Sequence, residues 1–336
     1  MIVRPPFPFV SAFTSVSSVA LSGSRILKVT VNAPTPGSSV SVNVVEIVVV
    51  SAPVGSIDAG LTCPNRDGTL STEGCIYCND RGSGTGAYAR GFSVTDQLLE
   101  GKRVLSKRYK AKKFIAYFQS FSNTYAPLGR LKKIYEEALA VENVVGLSIG
   151  TRPDCVDEPV LDLLSGYSED YLTWIEYGLQ SVHDRTLAFI NRGHDVACFT
   201  KAVAITRNRG IKICAHVILG LPMEEKHHIL ETANTIADLK IDGIKIHLLY
   251  VVAGTKLEQV YLQGQYRCLQ QQEYVDLVCD FLEHIPKDMV IQRLTGDPHP
   301  EELVAPIWSL RKAQTLSLIR QTLEKRDSWQ GKFARP

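Results

Sequence analysis

The chain has 336 residues, of which 45% are hydrophobic and 21% charged, so a sizeable core is expected and global disorder is excluded. Its 37 Lys and Arg residues nearly balance 35 Asp and Glu residues, and the net charge of +2 gives no overall indication of nucleic-acid or membrane binding. No run of about 18 apolar residues is present, which excludes a predicted membrane-spanning helix.

Residues 1–56 differ from the rest of the chain and are predicted to be a low-complexity N-terminal segment. Up to residue 57 the chain holds fourteen Val, eleven Ser and only four charged residues. Its start faintly resembles a secretory signal, but Pro5, Pro6 and Pro8 interrupt the apolar stretch. Within this segment Val44–Val50 has high β-propensity.

From Val54 onward, short apolar runs alternate with segments of helical periodicity. A first strand is predicted near Val54–Asp58, and five more follow at 114–118, 144–149, 172–177, 211–219 and 243–249. Helices are predicted at 93–109, 128–141, 156–165, 195–209 and 224–239. This alternation is typical of βαβ units around a parallel sheet. We therefore predict an α/β fold, a partial (β/α)6 TIM-like barrel whose functional residues follow the strand ends.

A doubly wound open sheet is the alternative fold, but no G-x-G-x-x-G motif follows the first strand to support it. After about residue 255 the alternation weakens. A helix at 269–284, a short strand at 289–293 and a helix at 309–325 predict a C-terminal α/β extension.

Three of the eight cysteines form a C-x11-C-x2-C pattern in one polar loop: Cys63, Cys75 and Cys78. A closed structural zinc site needs four ligands, whereas a [4Fe–4S] cluster held by three cysteines leaves one iron open for another ligand. Spacing alone leaves open the cluster, a zinc ion with a distant fourth ligand, and incidental cysteines. The other cysteines are scattered, which favours a reducing compartment, and we expect a cytoplasmic protein.

The three-cysteine loop, with Tyr77 just before its last cysteine, resembles the radical S-adenosylmethionine (SAM) superfamily. Longer stretches resemble its YhcC-like branch, which is related to Elongator subunit 3: DAGLTCPNRDGT, GCIYCN, AYFQSFSNTYA, GLSIGTRPDCV, VLDLL, IEYGLQSVHDRTL, INRGHD and GIKIHLLYVV-GT. The resemblance runs from about Ile57 to at least Leu310. It implies a radical SAM core at 57–255 and a C-terminal extension at 256–336, and residues 1–56 have no counterpart in it.

The resemblance also implies the cofactors and the chemistry. Cys63, Cys75 and Cys78 would ligate three irons of a [4Fe–4S] cluster, and SAM would chelate the fourth through its amino and carboxylate groups. Reductive cleavage of SAM would yield a 5′-deoxyadenosyl radical that abstracts hydrogen from a substrate the sequence does not name. A flavodoxin- or ferredoxin-like partner would supply the electron.

Candidate SAM contacts follow successive strands of the predicted barrel. They are Gln119, Ser120, Gly150, Thr151, Arg152, Glu176, Gln180 and Arg192. Relatives have a glycine-rich turn where this chain has Gln119. Arg152 has the bidentate geometry for the SAM carboxylate, with a rim salt bridge as the alternative. For Glu176, the alternative to a SAM contact is an ion pair with a cation inside the barrel.

Further residues have no assigned role from the sequence. His216 and His247 are predicted near the ends of the fifth and sixth strands, as core residues or as substrate contacts. Cys155 is interpreted as a plain rim thiol rather than a reactive one. Seven cations between Lys102 and Lys113 indicate either a solvated helix face or a phosphate-tracking patch.

The kinship to Elongator subunit 3 makes tRNA a candidate substrate, and a small metabolite or a protein remains an alternative. Two further hypotheses are a zinc-stabilised RNA-binding module without catalysis and a catalytically degenerate radical SAM scaffold. The oligomeric state is not predicted.

Overall fold

The computed structural model describes the backbone of residues 13–21, 24–31, 44–50, 56–82 and 87–335, and the side chains of residues 56–82 and 87–335. The strands are β1 (Phe13–Leu21), β2 (Ser24–Val31), β3 (Val44–Val50), β4 (Lys113–Phe118), β5 (Val144–Thr151), β6 (Leu172–Gln180), β7 (Lys212–Leu219), β8 (Gly243–Leu248), β9 (Val251–Val252), β10 (Val290–Arg293) and β11 (Leu303–Ala305). The helices are α1 (Val94–Tyr109), α2 (Leu128–Leu139), α3 (Glu158–Ser168), α4 (Asp184–Phe189), α5 (Val196–Thr206), α6 (Lys226–Asp238), α7 (Lys256–Leu262), α8 (Gln271–His284) and α9 (Lys312–Lys325).

The main sheet of the described chain has nine strands in the order β1-β2-β3-β4-β5-β6-β7-β8-β10. Every neighbouring pair from β3 to β10 is parallel, whereas β1, β2 and β3 pair antiparallel. Strands β4 to β8 and β10 form a curled half-barrel of six parallel strands, which confirms the predicted fold class. Its sixth strand, β10, comes from the C-terminal extension.

The edge of the sheet beside β4 differs from the prediction. Ile57 makes one isolated parallel bridge to Phe118, and residues 54 and 55 of the predicted first strand lie outside the described residues. The regular strand at this edge is β3, in the Val-rich run of high β-propensity. Strands β1 and β2 also lie in the segment expected to be low complexity.

Side chains alternate between the two faces of the half-barrel. On β4, Phe114 and Phe118 pack outward into the large core beneath the helices, whereas Ile115 and Tyr117 face the interior. Because strand side chains have a period of two, each strand contributes both to the packed exterior and to the barrel interior. The interior-facing set therefore lines the site described below.

Most predicted helices are confirmed within a few residues, because their start signals are present in the sequence. Ser93 and Asp96 form a reciprocal capping box at the start of α1, and the carboxylates of Asp157 and Asp195 cap α3 and α5. The short helices α4 and α7 were not predicted. None of the described helices is long and apolar enough to cross a membrane.

Candidate active site

The cysteine loop occupies residues 58–82 at the carboxyl end of the parallel strands. Its backbone folds back on itself, since Arg66 N donates to Cys63 O at 2.8 Å and Cys78 N donates to Cys75 O at 2.9 Å. Gly74 adopts a φ of 71°, a conformation that favours glycine. Gly74 N donates to Asn65 O at 2.7 Å, and this contact brings the Cys63 and Cys75 sides of the loop together.

Cys75 is the most enclosed of the three thiols. Its Sγ accepts hydrogen bonds from Asn65 Nδ2 at 3.7 Å and from Arg192 Nη1 at 3.5 Å. Asn65 is only 1% exposed, and its amide also donates to Asn191 O at 2.5 Å. The loop after α4 therefore fixes the cysteine loop through contacts more than a hundred residues apart in sequence.

The three thiols are close enough to influence one another. Burial, together with the neighbouring Cys75 and to a smaller extent Cys63, raises the pKa of the Cys78 thiol to about 12, against the lowering effects of Arg66 and Arg192. Within the described residues, no group of three or more His, Cys, Asp or Glu side chains surrounds a point that could hold a single metal ion. Three thiolates are the donor set that a [4Fe–4S] cluster with one open iron takes from a protein, whereas a closed structural zinc site needs a fourth ligand.

Two guanidinium groups lie at the rim beside the cysteine loop. Arg152 forms a bidentate ion pair with Asp154, with N–O distances of 2.8 and 2.7 Å, and its Nη1 donates to Arg192 O at 2.7 Å. The Arg192 guanidinium in turn donates to Gly178 O at 2.8 Å through Nη2. The Arg152 guanidinium thus forms a salt bridge with a carboxylate at the rim, which was the alternative to binding the SAM carboxylate.

Gly178 and His194 complete this arrangement, and sequence analysis assigned neither a role. A Cβ on Gly178 would clash with Arg192 Nη2 and would lie 2.8 Å from Gln180 Nε2, so the guanidinium reaches the strand only because glycine is present. His194 Nε2 lies 3.2 Å from the same carbonyl. Burial, together with Arg192 and Arg152, lowers the pKa of His194 to about 3, so the ring is neutral.

The predicted residues after β4 and β5 lie side by side. Ser120 is buried and its Oγ has no hydrogen-bond partner among the described residues. A Cβ on Gly150 would lie 3.0 Å from Phe118 O and 3.7 Å from Gln119 Cα, so the two strand ends approach closely. Thr151 Oγ1 hydrogen-bonds Thr124 Oγ1 at 2.6 Å. The unpartnered hydroxyl in a close-packed polar turn fits the binding of a polar cofactor.

Glu176 lies deeper in the barrel, in a buried ionic network. Its carboxylate accepts hydrogen bonds from Ser148, from Lys245 and, at 2.6 Å, from His216 Nε2. The Lys245 ammonium also lies 3.8 Å from the centre of the Tyr117 ring. Glu176 therefore pairs with a barrel cation, the alternative stated for it from the sequence.

The network fixes the protonation of its members. Burial by itself raises the pKa of the Glu176 carboxyl, but Lys245 and His216 together bring it well below its usual range. Burial lowers the pKa of His216 to about 4 despite the opposing effect of Glu176. At neutral pH the network therefore holds an ionised carboxylate, an ammonium and a neutral imidazole. The His247 ring lies 5.2 Å from the His216 ring.

Gln180 ends β6 with a φ of 77°, a left-handed conformation that is uncommon for residues other than glycine. The conformation coincides with a shift in the register between β6 and β7 after Gly178. Residues in sparsely populated conformations cluster at functional sites, where surrounding structure holds them in place. The Gln180 side chain lies at the rim beside Gly178 and Arg192, since both Gln180 Nε2 and Arg192 Nη2 would be within 3 Å of a Cβ on Gly178.

Lys245 and Asn65 are further site residues that sequence analysis missed. A lysine within the apolar strand GIKIHLL was a usable signal, because a fully buried lysine is rare unless it is paired. Asn65 carried no comparable signal, since its burial depends on the distant Asn191.

Comparison with known proteins identifies the family of this chain. A model described as the Radical SAM superfamily matches residues 66–236, and one described as the Radical_SAM C-terminal domain matches residues 241–325. The chain therefore belongs to the radical SAM superfamily, a class of enzymes that use a [4Fe–4S] cluster and SAM.

Within the superfamily, the chain is 45% identical over 278 residues to the uncharacterized protein YtqA of Bacillus subtilis, which covers 83% of this chain and 86% of YtqA. It is 36% identical over 254 residues to protein YhcC of Escherichia coli, covering 75% and 81% of the two chains. A more distant relative, the tRNA uridine(34) acetyltransferase of Methanocaldococcus jannaschii, is 26% identical over 59% of this chain and 36% of its own length.

Among solved structures, the fold resembles that of Methanocaldococcus infernus Elp3 lacking residues 1–46, with a TM-score of 0.63 and 20% identity. The alignment covers 73% of this chain and 62% of that one. The comparisons confirm the predicted family, the kinship with YhcC and Elongator subunit 3, the enzyme class and the cofactors. The assignment of individual residues to cluster and SAM stays a prediction.

Proposed function

We propose that this chain reductively cleaves SAM and directs the resulting radical at an RNA substrate. When bound, the cluster and SAM supply the radical chemistry: one electron cleaves the sulfonium to give methionine and a 5′-deoxyadenosyl radical, which removes a substrate hydrogen. The observation that carries the proposal is the convergence of the cysteine loop and the ends of β4, β5 and β6. Arg192 joins them by binding both Cys75 Sγ and Gly178 O.

In this proposal Cys63, Cys75 and Cys78 hold the cluster, and Asn65 and Arg192 orient Cys75 by hydrogen bonds to its sulfur. Such bonds are among the factors that set the reduction potential of an iron–sulfur cluster. The protein contributes position and exclusion of water, because the cofactor carries the reaction itself.

Of the predicted set, we propose that six residues contact SAM and that Arg152 and Glu176 act indirectly. The six are Gln119, Ser120, Gly150, Thr151, Gln180 and Arg192. Ser120 Oγ is the best supported, because it is buried without a partner among the described residues. Arg152 and Glu176 are engaged by Asp154 and Lys245, so we propose that both position neighbouring groups.

RNA is supported by a surface beside the cysteine loop, here called the aromatic rim and defined by Tyr88, Arg90, Phe92 and Arg130. Tyr88 and Phe92 are 52% and 48% exposed, and the Arg90 guanidinium lies 6.0 Å from the centre of the Phe92 ring. Arg130 donates to Gly60 O at 2.8 Å. Exposed aromatic rings with adjacent cations are the stacking platforms on which single-stranded nucleic acids bind. The name of the Methanocaldococcus jannaschii relative favours tRNA.

The cations between Lys102 and Lys113 are placed differently. They follow α1 toward the start of β4, so they approach the amino ends of the strands and not the rim. Lys107, Arg108 and Lys110 are exposed there. We therefore propose that this run is a solvated helix face and that the aromatic rim binds the substrate.

The proposal also includes the electron donor, the cellular compartment and the division of the chain. A flavodoxin- or ferredoxin-like partner supplies the electron, and the cytoplasm is the compartment, because the cluster needs reduced thiolates. The chain divides into a radical SAM core at 57–255 and a C-terminal extension at 256–336, preceded by residues 1–56.

Anaerobic reconstitution of the full chain with iron and sulfide tests the enzymatic part. We expect about four irons per chain and, after reduction with SAM present, formation of 5′-deoxyadenosine. Cys75→Ala should abolish both, whereas Cys279→Ala, on α8 beside Arg326 and Glu283, should retain both. Iron without cleavage would support the degenerate scaffold, and zinc in place of iron would revive the zinc-stabilised module.

Binding of total tRNA to the reconstituted protein tests the RNA part. Tyr88→Ala and Phe92→Ala should each weaken binding by about 1–3 kcal/mol through loss of base stacking. Lys107→Gln and Arg108→Gln serve as matched controls at the amino ends of the strands and should change binding little. Equal losses in both pairs would contradict the assignment of the aromatic rim.

A further inference from the structure

A β-bulge in β10 turns Arg293 toward the barrel interior. Val290 and Ile291 pair in register with Gly243 and Ile244 of β8, but the next partner of Lys245 is Arg293, so one residue of β10 is skipped. Partners in a ladder point to the same face of a sheet, and Lys245 reaches Glu176 on the inner face. Bulges of this kind re-aim side chains and are frequent next to active sites.

The neighbours of Arg293 place it between the ionic network and the cysteine loop. Burial lowers the pKa of His216 to about 4, and Arg293 is one of the cations that act in the same direction. Burial raises the pKa of Tyr250, Arg293 opposes that rise, and Cys78 adds to it. Arg293 therefore shares the barrel interior with His216 and Tyr250, close to the proposed cluster ligands.

Arg293 has no counter-charge among the described residues. It forms no ion pair with any of them, and its Nε atom is buried without a hydrogen-bond partner. The Lys245 ammonium is neutralised by Glu176. The carboxylates nearest Tyr250 are also engaged, since Asp297 pairs with Lys312 at 2.8 Å and Glu302 pairs with Arg81 at 2.6 Å. Arg293 thus adds a positive charge to the interior that no described carboxylate balances.

A half-buried guanidinium without a partner is unfavourable, because burial removes water from the charge without replacing it. The five N–H groups of arginine form a rigid fork that matches an oxyanion. A structure that keeps such a group at the mouth of a barrel, on a strand bent to aim it, is organised to receive an anion.

We propose that Arg293 binds a singly charged oxyanion of the substrate and so positions the substrate for hydrogen abstraction. The oxyanion is a carboxylate on the group being modified or a phosphodiester of the RNA backbone. This inference rests on the proposed function, and it makes the C-terminal extension a contributor of substrate specificity.

The first test is the thermal stability of the full-length variants before substrate is added. Arg293→Gln and Arg293→Met remove an unpaired charge, so we expect an unchanged Tm or a rise of up to about 4 °C. Arg320→Gln, whose side chain is 72% exposed, is the matched surface control. A fall of several degrees in both Arg293 variants would show an internal partner and would overturn the proposal. This result does not depend on SAM cleavage.

The second test uses reconstituted holoenzyme and total tRNA from a strain of the source organism that lacks the gene. tRNA-stimulated 5′-deoxyadenosine formation should fall by about 30-fold or more in Arg293→Gln. It should fall less in Arg293→Lys, which keeps the charge but loses the fork. Arg320→Gln should match the unsubstituted protein. Unchanged stimulation in Arg293→Gln would overturn the proposal, whereas absence of cleavage in the unsubstituted holoenzyme would count against the proposed function instead.

Two further arms identify the oxyanion. Treatment of the tRNA with a carbodiimide and methylamine amidates carboxylates and leaves phosphodiesters intact, and mild alkali then removes the carbodiimide adducts that form on U and G. If the treated tRNA no longer stimulates 5′-deoxyadenosine formation, the oxyanion that Arg293 binds is a carboxylate. If it still does so and Arg293 is still required, the oxyanion is a phosphodiester. Equilibrium dialysis of SAM should give Kd values within about twofold for Arg293→Gln and Arg320→Gln. A tenfold weakening confined to Arg293→Gln would show that Arg293 binds the cofactor carboxylate and would overturn the proposal.

Discussion

The guanidinium of Arg192 lies 3.5 Å from Cys75 Sγ and, through its other nitrogens, binds the carbonyl of Gly178. One buried side chain thus joins the cysteine loop to the end of β6. Because hydrogen bonds to ligand sulfur help to set cluster potential, this contact links the fold of the barrel to the redox property of the site.

Replacing Arg192 tests that link. Arg192→Lys keeps the charge but cannot reach Cys75 Sγ and Gly178 O together, so the cluster of the variant should have a more negative reduction potential. The measurement is a redox titration followed by electron paramagnetic resonance. Arg320→Lys, on the exposed face of α9, should leave the potential unchanged. An unchanged potential in Arg192→Lys would refute the role assigned to the sulfur contact.

A substitution at Gly178, on β6, tests the same contact of Arg192 with Cys75 Sγ. A methyl group there would displace the Arg192 guanidinium, so Gly178→Ala should retain less iron after desalting than the unsubstituted protein. Gly129→Ala is the matched control, because nothing lies within 4 Å of its added Cβ and it stands inside α2. That control should be stabilised by about 0.5–1 kcal/mol. Equal iron contents in both variants would contradict the prediction.

The buried pair of Glu176 and Lys245 makes a prediction about stability. Glu176→Gln leaves the ammonium without its carboxylate, so the variant should lose about 3–5 kcal/mol of unfolding free energy. The double variant Glu176→Gln with Lys245→Met should recover most of the loss, since no unpaired charge remains. Urea denaturation measures both, with the exposed Glu324→Gln as control. A double variant that is no more stable than Glu176→Gln would argue against the pairing.

The neutral His216 predicts a dependence of stability on pH. Its pKa falls from about 6.5 in the unfolded chain to about 4 in the folded one, so the unfolded state binds more protons between these values. Stability contributed by the neutral ring is therefore complete above pH 6.5 and is lost as the pH falls toward 4. His216→Asn should remove up to about 1.4 kcal/mol per pH unit of this slope. Denaturation of the cluster-free chain between pH 4.5 and 7.5 provides the measurement, and His227→Asn, on the exposed start of α6, is the control.

Much of the scaffold was predictable because its signals are local. The runs that became β4 to β8 are short and mostly apolar, and caps such as Ser93 and Asp195 mark where helices start. The edge of the sheet was not predictable in the same way. The regular strand beside β4 is β3, and Ile57 makes only an isolated bridge to Phe118, because pairing at an edge depends on which segment reaches the exposed backbone.

By itself the sequence determined the cysteine spacing, the alternation of strands and helices, and through its motifs the family, since all of these are properties of neighbouring residues. Only the tertiary structure decided the partner of each charge. Glu176 forms an ion pair with Lys245, 69 positions further along the chain. A bulge in β10 turns the Arg293 side chain inward, where it has no ion-pair partner among the described residues. The reason is physical: the charge state and role of a buried ionic group depend on what surrounds it, and curling the sheet brings those surroundings from distant parts of the chain.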